Sequence, residues 1–168
     1  LFSSTLNDAS YEFLIATDVF DPVLRTALRT FYLQRCGVAK PDGYAAPWAD
    51  GAACHRADAS AGPAGGQVDH GLRDLTGGWH DAGDYNKYVW TAVSNAVLYL
   101  LQAWEESPDT FPDGGLDIPE SGNGVSDLLD EVRWETDFLL KMQLPDGSVL
   151  SRLHASGSAS GATPWKLC

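Results

Sequence analysis

Apolar residues recur at steps of three and four in three stretches of the chain, which is the spacing of a helix with one buried face. The stretches cover residues 21–37, 85–107 and 126–144. The first opens on Asp21-Pro22, because aspartate can cap the free N–H groups of a helix and proline fits its first position. The third opens at Ser126-Asp127 and carries acidic residues in its first turn, which the helix dipole favours. The pattern therefore predicts an all-α protein.

Long loops join the predicted helices. Residues 38–80 are rich in Gly, Ala, Pro and Asp, and a loop of about 40 residues is uncommon unless it is functional or cross-linked. An alternating stretch at 11–16 can form an edge strand or the end of a preceding domain. Helices with apolar residues on more than one side require further neighbours, so we expect part of a larger helical assembly. The second and third helices have such residues: Trp90, Tyr99, Trp134 and Phe138.

Composition narrows the class of partner. The chain has 168 residues, 44% of them hydrophobic, and 23 acidic against 11 basic residues give a net charge of −12. So acidic a surface repels nucleic-acid phosphates and anionic membranes, which excludes both as partner classes. No apolar run approaches the roughly 20 residues of a membrane helix. The start, Leu1-Phe2-Ser3-Ser4, is neither an initiator methionine nor a signal peptide, and we expect an excised piece of a longer protein.

The densest group of candidate catalytic residues lies at 77–88, in the sequence GGWHDAGDYNKY. Asp81 and Asp84 are three positions apart in a glycine-containing turn before a predicted helix. Trp79 and Tyr85 offer flat aromatic faces on which a sugar ring can stack. The alternative interpretation is structural, with Asp84 capping the helix, Asp81 in solvent and the aromatic residues in the core.

Cysteines and histidines around the long loop form a second candidate site. Zinc takes four Cys and His ligands at tetrahedral corners, and the chain offers such a set: Cys36, Cys54, His55 and His70. The spacing is wider than in a zinc finger, so a disulfide between the two cysteines stays open as the alternative. His80 competes for the fourth position, although its neighbouring aspartate favours a place at a substrate or beside a carboxylate.

The string at 77–88 resembles glycoside hydrolase family 9, the cellulase family. Three further segments resemble the same family: FYLQRCG at 31–37, DIPESGNGVSDLLDE at 117–131, and KMQ followed by DGSV within 141–149. The resemblance covers about residues 11–153, which is most of the chain.

The resemblance implies a fold and a division of the chain. The family fold is an (α/α)6 barrel of twelve helices in two concentric rings, of which this chain would hold about three, with long loops. Residues 17–168 would be the N-terminal portion of the catalytic domain. Residues 1–16 would be the junction from a preceding immunoglobulin-like domain, and the remainder of the catalytic domain would be the partner of this chain.

The resemblance also implies inverting hydrolysis of β-1,4-glucosidic bonds in cellulose or related β-glucans. In that chemistry a carboxylate base activates water on one side of the sugar, while an acid protonates the leaving oxygen on the other. Carried over to this sequence, Asp84 is the base and Asp81 holds the same water, with Trp79, His80 and Tyr85 at the substrate. The general acid of the family is a glutamate beyond residue 168, so we expect this fragment alone to be inactive.

The resemblance also bears on two metals, zinc and calcium. Family members with the upstream immunoglobulin-like domain bind zinc through two Cys and two His in this region, which favours a structural zinc at Cys36, Cys54, His55 and His70. Members often carry calcium, and the acidic loop at 120–127 can either bind this ion or cap the following helix.

The function that we expect is that of a secreted, extracellular endoglucanase. Two alternatives stay open. The first is an exo-acting family 9 cellodextrinase or glucosaminidase, because endo and exo action differ in loops that block the cleft. The second is a non-catalytic helical module held together by zinc.

Overall fold

The computed structural model of the chain describes residues 11–63 and 71–154. In chain order the elements are α1 Asp21–Gln34, α2 Asp42–Ala45, a 3₁₀ turn Arg56–Ser60, β1 Lys87–Tyr88, α3 Val89–Ala92, a π-helical turn Val93–Val97, α4 Leu98–Glu106, a 3₁₀ turn Pro108–Thr110, α5 Asp127–Met142 and β2 Arg152–Leu153. The three predicted helices are confirmed as α1, the continuous run from α3 to α4, and α5. The fold is therefore mainly helical, with short elements in the connections.

The start of α1 differs from the predicted cap. Phe20 is the N-cap residue, and no side chain hydrogen-bonds to the free N–H groups there. Asp21 is instead in the first helical turn with Pro22, where the helix dipole still favours a negative charge. At the other end the N–H of Arg35 donates to the carbonyl of Tyr32 at 3.1 Å, which closes the last turn.

A π-helical turn interrupts the second helix, and the apolar spacing does not predict it. Val93–Val97 forms this turn between α3 and α4. The prediction that this helix carries apolar residues on more than one side is confirmed. Leu100 lies in the core, whereas Trp90 and Tyr99 are 76% and 64% exposed.

The core lies where α1, α4 and α5 meet the loop that precedes α5. Its most buried side chains include Tyr32, Ile118 and Leu128. The loop itself is organised by Asp127, whose carboxylate accepts hydrogen bonds from the N–H of Gly114 at 2.9 Å and of Leu116 at 2.7 Å. Because a buried carboxylate requires such donors, these contacts hold the loop in one conformation.

The described parts of the long loop at 38–80 are held by isolated backbone bridges. Each bridge joins two segments that are distant in sequence, so the loop is irregular but ordered by specific pairs. The pairs are Lys40 with Asp50, Ala61 with Arg73, and Arg35 with Trp79.

Of the two alternatives for the N-terminal segment, an edge strand or the end of a preceding domain, the structure does not show the edge strand. Residues 11–16 have no regular secondary structure and their side chains are exposed. Residues 1–10, which make up most of the expected junction, lie outside the described residues. Among the helices described, none has the length and apolarity that a membrane span needs.

Candidate active site and metal centre

One face of α5 holds the backbone that leads into the turn with the two aspartates. The carboxylate of Glu135 accepts the N–H of Trp79 at 2.6 Å, and Glu131 accepts the indole N–H of the same tryptophan at 3.3 Å. The indole of Trp134 donates to the carbonyl of Gly78 at 3.1 Å. Residues three and four apart lie on the same helix face, so these three side chains form one surface.

Gly78 fits against this surface because it has no side chain. Its φ is +74°, and a Cβ at this position would lie 2.6 Å from two ring atoms of Phe138, which belongs to the same face of α5. The glycine pair of the motif is therefore required by backbone conformation and by close packing, at least at its second position.

The end of α1 holds the same segment from the other side. The N–H of Cys36 donates to the carbonyl of Gly78 at 2.8 Å, and the N–H of His80 donates to the carbonyl of Gln34 at 2.9 Å. These bonds extend the bridge between Arg35 and Trp79. The backbone is thus fixed on both sides up to the residue before the first aspartate.

Asp81 and Asp84 both point to solvent in the turn that follows. The N–H of Asp81 donates to the carbonyl of Asn86 at 2.8 Å, which closes the turn, and the hydroxyl of Thr91 donates to its carboxylate at 2.5 Å. Tyr85 adopts a φ of +55°, an uncommon backbone conformation for a residue with a side chain. The turn is therefore strained and exposed, which is typical of functional sites.

Three hydrogen bonds orient the carboxylate of Asp84. Asn86 donates its backbone N–H at 3.1 Å and its side-chain amide at 2.6 Å, and the hydroxyl of Tyr88 donates at 2.9 Å. Slight burial raises the pKa of Asp84, but these hydrogen bonds and the nearby His154 outweigh it and lower the pKa below its usual range. The group is thus a fixed carboxylate at neutral pH and can accept a proton.

The three residues expected at the substrate lie in different environments. Tyr85 is 37% exposed beside the two aspartates. Trp79 is only 6% exposed, and its ring packs on that of Phe31 with centroids 4.7 Å apart. His80 is also 6% exposed. Of the three, Tyr85 alone has an aromatic face that is open to a ligand, and the two others are buried beneath the turn.

Four buried side chains form a candidate metal centre next to this turn: Cys36, Cys54, His55 and His80. One ligand atom from each lies within 4.8 Å of the others. Nδ1 of His55 is 3.2 Å from Nε2 of His80, which is 3.8 Å from Sγ of Cys54. His70, the fourth ligand that the sequence favours, lies outside the described residues. Within the described residues it is thus His80, the competing candidate, that completes the group.

The spacing of these atoms fits tetrahedral zinc. Zn–S bonds of about 2.3 Å and Zn–N bonds of about 2.0–2.1 Å place neighbouring ligands about 3.3 Å (N to N) and about 3.6 Å (S to N) apart. The two observed separations, 3.2 Å and 3.8 Å, are close to these values. Two soft sulfur and two imidazole ligands in a closed, buried site are the donor set of a structural zinc.

The two cysteines are not joined by a disulfide. A hydrogen bond with Cys54, and then burial, raise the pKa of Cys36 far above its ordinary value, although the ammonium of Lys87 acts in the other direction. Cys36 therefore keeps its proton unless a cation displaces it, as metal binding does. The backbone N–H of Gly37 donates to the sulfur of Cys54 at 3.4 Å and orients it.

Two residues of this region were missed by sequence reasoning. Asp58 and Lys87 form a buried ion pair of 2.8 Å beside Cys36. They come from separate segments. Lys87 lies in the string at 77–88, but nothing in that string relates it to Asp58, so only the folded chain shows the pair.

The two carboxylates of the acidic loop at 120–127 have protein partners: Glu120 pairs with Arg35 at 2.9 Å, and Asp127 accepts hydrogen bonds from the loop. In addition to two backbone donors, Asp127 accepts the hydroxyl of Ser121 at 2.7 Å. Asp113 accepts the N–H groups of Gly122 and Gly124, so the glycines of the loop bind a carboxylate. In residues 11–63 and 71–154, the Cys/His group is the one place where three or more His, Cys, Asp or Glu side chains lie close enough together to hold a metal ion.

Comparison with known proteins places this geometry in context. Residues 20–161 match glycosyl hydrolase family 9. The endoglucanase D of Acetivibrio thermocellus is 41% identical over 140 residues, which are 83% of this chain and 22% of that protein. A cellodextrinase of Butyrivibrio fibrisolvens is 38% identical over 156 residues, which are 90% of this chain and 27% of that protein.

A solved structure gives the same result at the level of the fold. The structure of a Zn-binding triple mutant of the family 9 endoglucanase J30 aligns with a TM-score of 0.68 at 38% identity, over 85% of this chain and 27% of that one. This chain thus spans about a quarter of the length of these relatives.

Proposed function

Because the chain belongs to glycosyl hydrolase family 9, we propose that it is the part of an inverting β-1,4-glucanase that carries the catalytic base. The observation that carries the proposal is the exposed turn with two carboxylates, one of them fixed by three hydrogen bonds. The substrate class is cellulose or a related β-glucan. A neutral polysaccharide is also compatible with the net charge of −12, which opposes anionic partners.

In this proposal Asp84 takes a proton from water. It does so as the water oxygen attacks the anomeric carbon from the side opposite the leaving group, so the C1–O bond breaks with inversion. Asp81 accepts a hydrogen bond from the same water and orients it. The leaving oxygen receives a proton from a glutamate that we expect outside this chain, so the fragment alone would be inactive.

The hydrogen bonds to Asp84 suit this role. A base must be deprotonated at the working pH, and a carboxylate whose pKa is lowered meets this condition near neutral pH but is a weaker proton acceptor. The hydrogen bonds from Asn86 and Tyr88 therefore serve the base by orienting it. They fix the direction of the carboxylate, which holds the attacking water in line with the scissile bond. Tyr85 would supply the aromatic face for a sugar ring, whereas Trp79 and His80 would position the turn from below.

A structural zinc would be held by Cys36, Cys54, His55 and His80. When bound, it supplies a cross-link and no chemistry, because four protein ligands in a buried site leave no open position. His80 directly precedes Asp81, so its ligation would fix the start of the catalytic turn. The cross-link would also join the end of α1 to the long loop at 38–80, a loop of a length that is uncommon without a function or a cross-link.

The larger context of the proposal follows the family. The helices described here would be part of an (α/α)6 barrel, and the exposed Trp90 and Tyr99 would pack on the remainder of the catalytic domain. The enzyme would be secreted, with an immunoglobulin-like domain before this chain. An exo-acting cellodextrinase is the second candidate, since one relative is a cellodextrinase. Cleavage of long soluble β-glucan with a rapid fall in viscosity indicates endo action, and release of sugars without that fall indicates exo action.

The decisive experiment is Asp84→Asn in the complete catalytic module. Asparagine keeps the shape of the side chain and removes its basicity, so hydrolysis should fall by about 10²–10⁴-fold. Asp146→Asn is the matched control, because Asp146 is also exposed and accepts the N–H and hydroxyl of the residue two positions later. We expect the control to retain activity.

The stereochemistry of the product completes the test. Proton NMR during the first minutes of hydrolysis should show the α-anomer, which is the inverted product of a β-linkage. Near-normal turnover by Asp84→Asn, or formation of the β-anomer, would refute the assignment of Asp84 as the base.

A further inference from the structure

Lys87 places a buried ammonium group between the metal centre and the catalytic turn. Its side chain is 2% exposed and its Nζ lies 2.8 Å from the carboxylate of Asp58, which is 1% exposed. The ammonium also donates to the carbonyl of Leu75 at 2.9 Å and to that of Gly77 at 2.8 Å. All three N–H groups of the lysine therefore have an acceptor inside the protein.

Asp58 connects this ion pair to the metal centre. Its Oδ2, the oxygen that pairs with Lys87, is 3.8 Å from Sγ of Cys36. Its N–H donates at 2.9 Å to the carbonyl of His55, so the aspartate is held by the backbone of a second candidate ligand. The carboxylate is consequently adjacent to the ligands and buried with them.

The charges of this group balance only when Lys87 is included. A divalent zinc ion with two thiolates and two neutral imidazoles has no net charge. Asp58 adds one negative charge next to a thiolate, and Lys87 adds one positive charge that neutralises it. Without the lysine, the buried carboxylate of Asp58 would lie beside the Cys36 thiolate and its charge would not be neutralised, which is unfavourable.

The backbone of β1 connects Lys87 to the catalytic base. Successive side chains of an extended strand point in opposite directions. Lys87 therefore points toward Asp58, while its neighbours Asn86 and Tyr88 point to the other side and donate hydrogen bonds to Asp84. One short segment thus contacts Asp58, beside the candidate metal centre, through one residue and Asp84 through the two residues next to it.

We infer that Lys87 is a positioning residue that stabilises the metal centre by neutralising Asp58 and that fastens this centre to the turn of Asp84. The inference rests on the zinc site in the proposed function. Its test uses metal affinity, which does not depend on hydrolysis.

The experiment compares zinc dissociation constants of purified protein by competition with a chromophoric chelator at neutral pH. Lys87→Met, which keeps the length of the side chain and removes its charge, should weaken zinc binding by about 10–100-fold, as is typical when a residue behind the ligands is lost. Lys141→Met is the matched control. Lys141 donates to the carbonyl of Thr76 at 2.9 Å, within the same backbone segment, but pairs with the exposed Asp74. We expect this variant to bind zinc within about threefold of the parent.

A second variant keeps the inference testable if Lys87→Met does not fold, which circular dichroism would show. Asp58→Asn combined with Lys87→Met removes both charges, so it should fold and recover zinc affinity to within about tenfold of the parent. The cobalt complex of this double variant should keep the thiolate-to-metal absorption of the parent. That signature reports the ligands themselves and does not depend on overall stability.

Three results would overturn the inference. The first is an unchanged zinc affinity in folded Lys87→Met, and the second is an equal loss of affinity in Lys141→Met. The third is a double variant that binds zinc as poorly as Lys87→Met. If Lys87→Met does not fold, the third result is a double variant that binds zinc more than tenfold more weakly than the parent. A parent protein that binds no zinc would refute the metal site and this inference together. Because the role of Asp84 is tested by hydrolysis, the proposed activity would stand or fall separately.

Discussion

Replacing Gly78 by alanine tests whether α5 holds the segment that leads into the turn of Asp81 and Asp84. A Cβ on Gly78 would lie 2.6 Å from Cγ and Cδ1 of Phe138. The phenylalanine is 1% exposed, and the ammonium of Lys87 lies 4.5 Å from the centre of its ring. A ring packed on both sides in a dense interior has little room to move. The substitution therefore adds an overpacked contact to an unfavourable backbone conformation.

The magnitude follows from these two contributions. A residue with a Cβ in the left-handed region costs about 1–2 kcal/mol, and a methyl group forced into a filled core costs about 1–3 kcal/mol. We therefore expect Gly78→Ala to lower the free energy of unfolding by about 2–5 kcal/mol. Gly77→Ala is the matched control, because its φ is +90° but its nearest atom is Cβ of Phe138 at 3.9 Å. The control should lose only the backbone contribution of about 1–2 kcal/mol.

Urea unfolding followed by far-ultraviolet circular dichroism measures both losses. Combining Gly78→Ala with Phe138→Leu then tests the contact directly, since the smaller side chain leaves space for the added methyl group. The double variant should be more stable than the sum of the two single losses predicts. Equal losses in the two alanine variants, together with simple additivity in the double variant, would refute the packing argument.

Protein purified without chelators should contain about one zinc per chain by elemental analysis, and His80→Ala should lose this metal while His70→Ala keeps it. The opposite result would make His70 the fourth ligand. Burial raises the pKa of Glu135 to about 7, although the N–H of Trp79 and the charge of Lys87 oppose the shift. The contribution of Glu135 to the free energy of unfolding is therefore fully present below about pH 4 and is lost as the pH rises through 7. Glu135→Gln should therefore flatten the decline of unfolding free energy between pH 5 and 7 in urea titrations, and an unchanged decline would contradict the shifted pKa.

Local features of the fold and the site could be predicted from the sequence. The three main helices follow from apolar spacing, because each helix depends on its own residues and on boundary signals such as the acidic Asp127 and Asp130 in the first turn of α5. The proximity of Asp81 and Asp84 could be predicted because they are three positions apart in one turn. The existence of a Cys/His cluster was also predictable, because Cys36, Cys54 and His55 flank a loop that needs a cross-link.

Features that depend on long-range packing could not be predicted. The indole of Trp79 is suited to stack on a sugar ring, yet α1 and α5 cover it, and its N–H donates to a glutamate on α5. The choice of His70 or His80 as the fourth candidate ligand depends on which backbone segment passes Cys54. The hydrogen bond from the N–H of His80 to the end of α1 fixes the position of His80. The ion pair of Asp58 and Lys87 joins segments that no motif relates. In each case the deciding contact connects residues far apart in the chain.

The turn of the two aspartates, which is the proposed catalytic turn, is exposed at residues 81–85, so apolar packing contributes little to its position. Its position therefore depends on the buried polar groups beneath it, which are directional in a way that apolar packing is not. Burial raises the pKa of Glu131 and of Glu135 to about 7, so the fold carries these carboxyl groups at a cost. Both of them contact Trp79, two residues before Asp81, and the cost thereby fixes the backbone at the start of the turn. Lys87 donates to the carbonyl of Gly77, and the N–H of His80, a candidate metal ligand, donates to the carbonyl of Gln34. Buried polar groups from α5, from β1 and from the end of α1 therefore hold the segment that leads to Asp84, the proposed base.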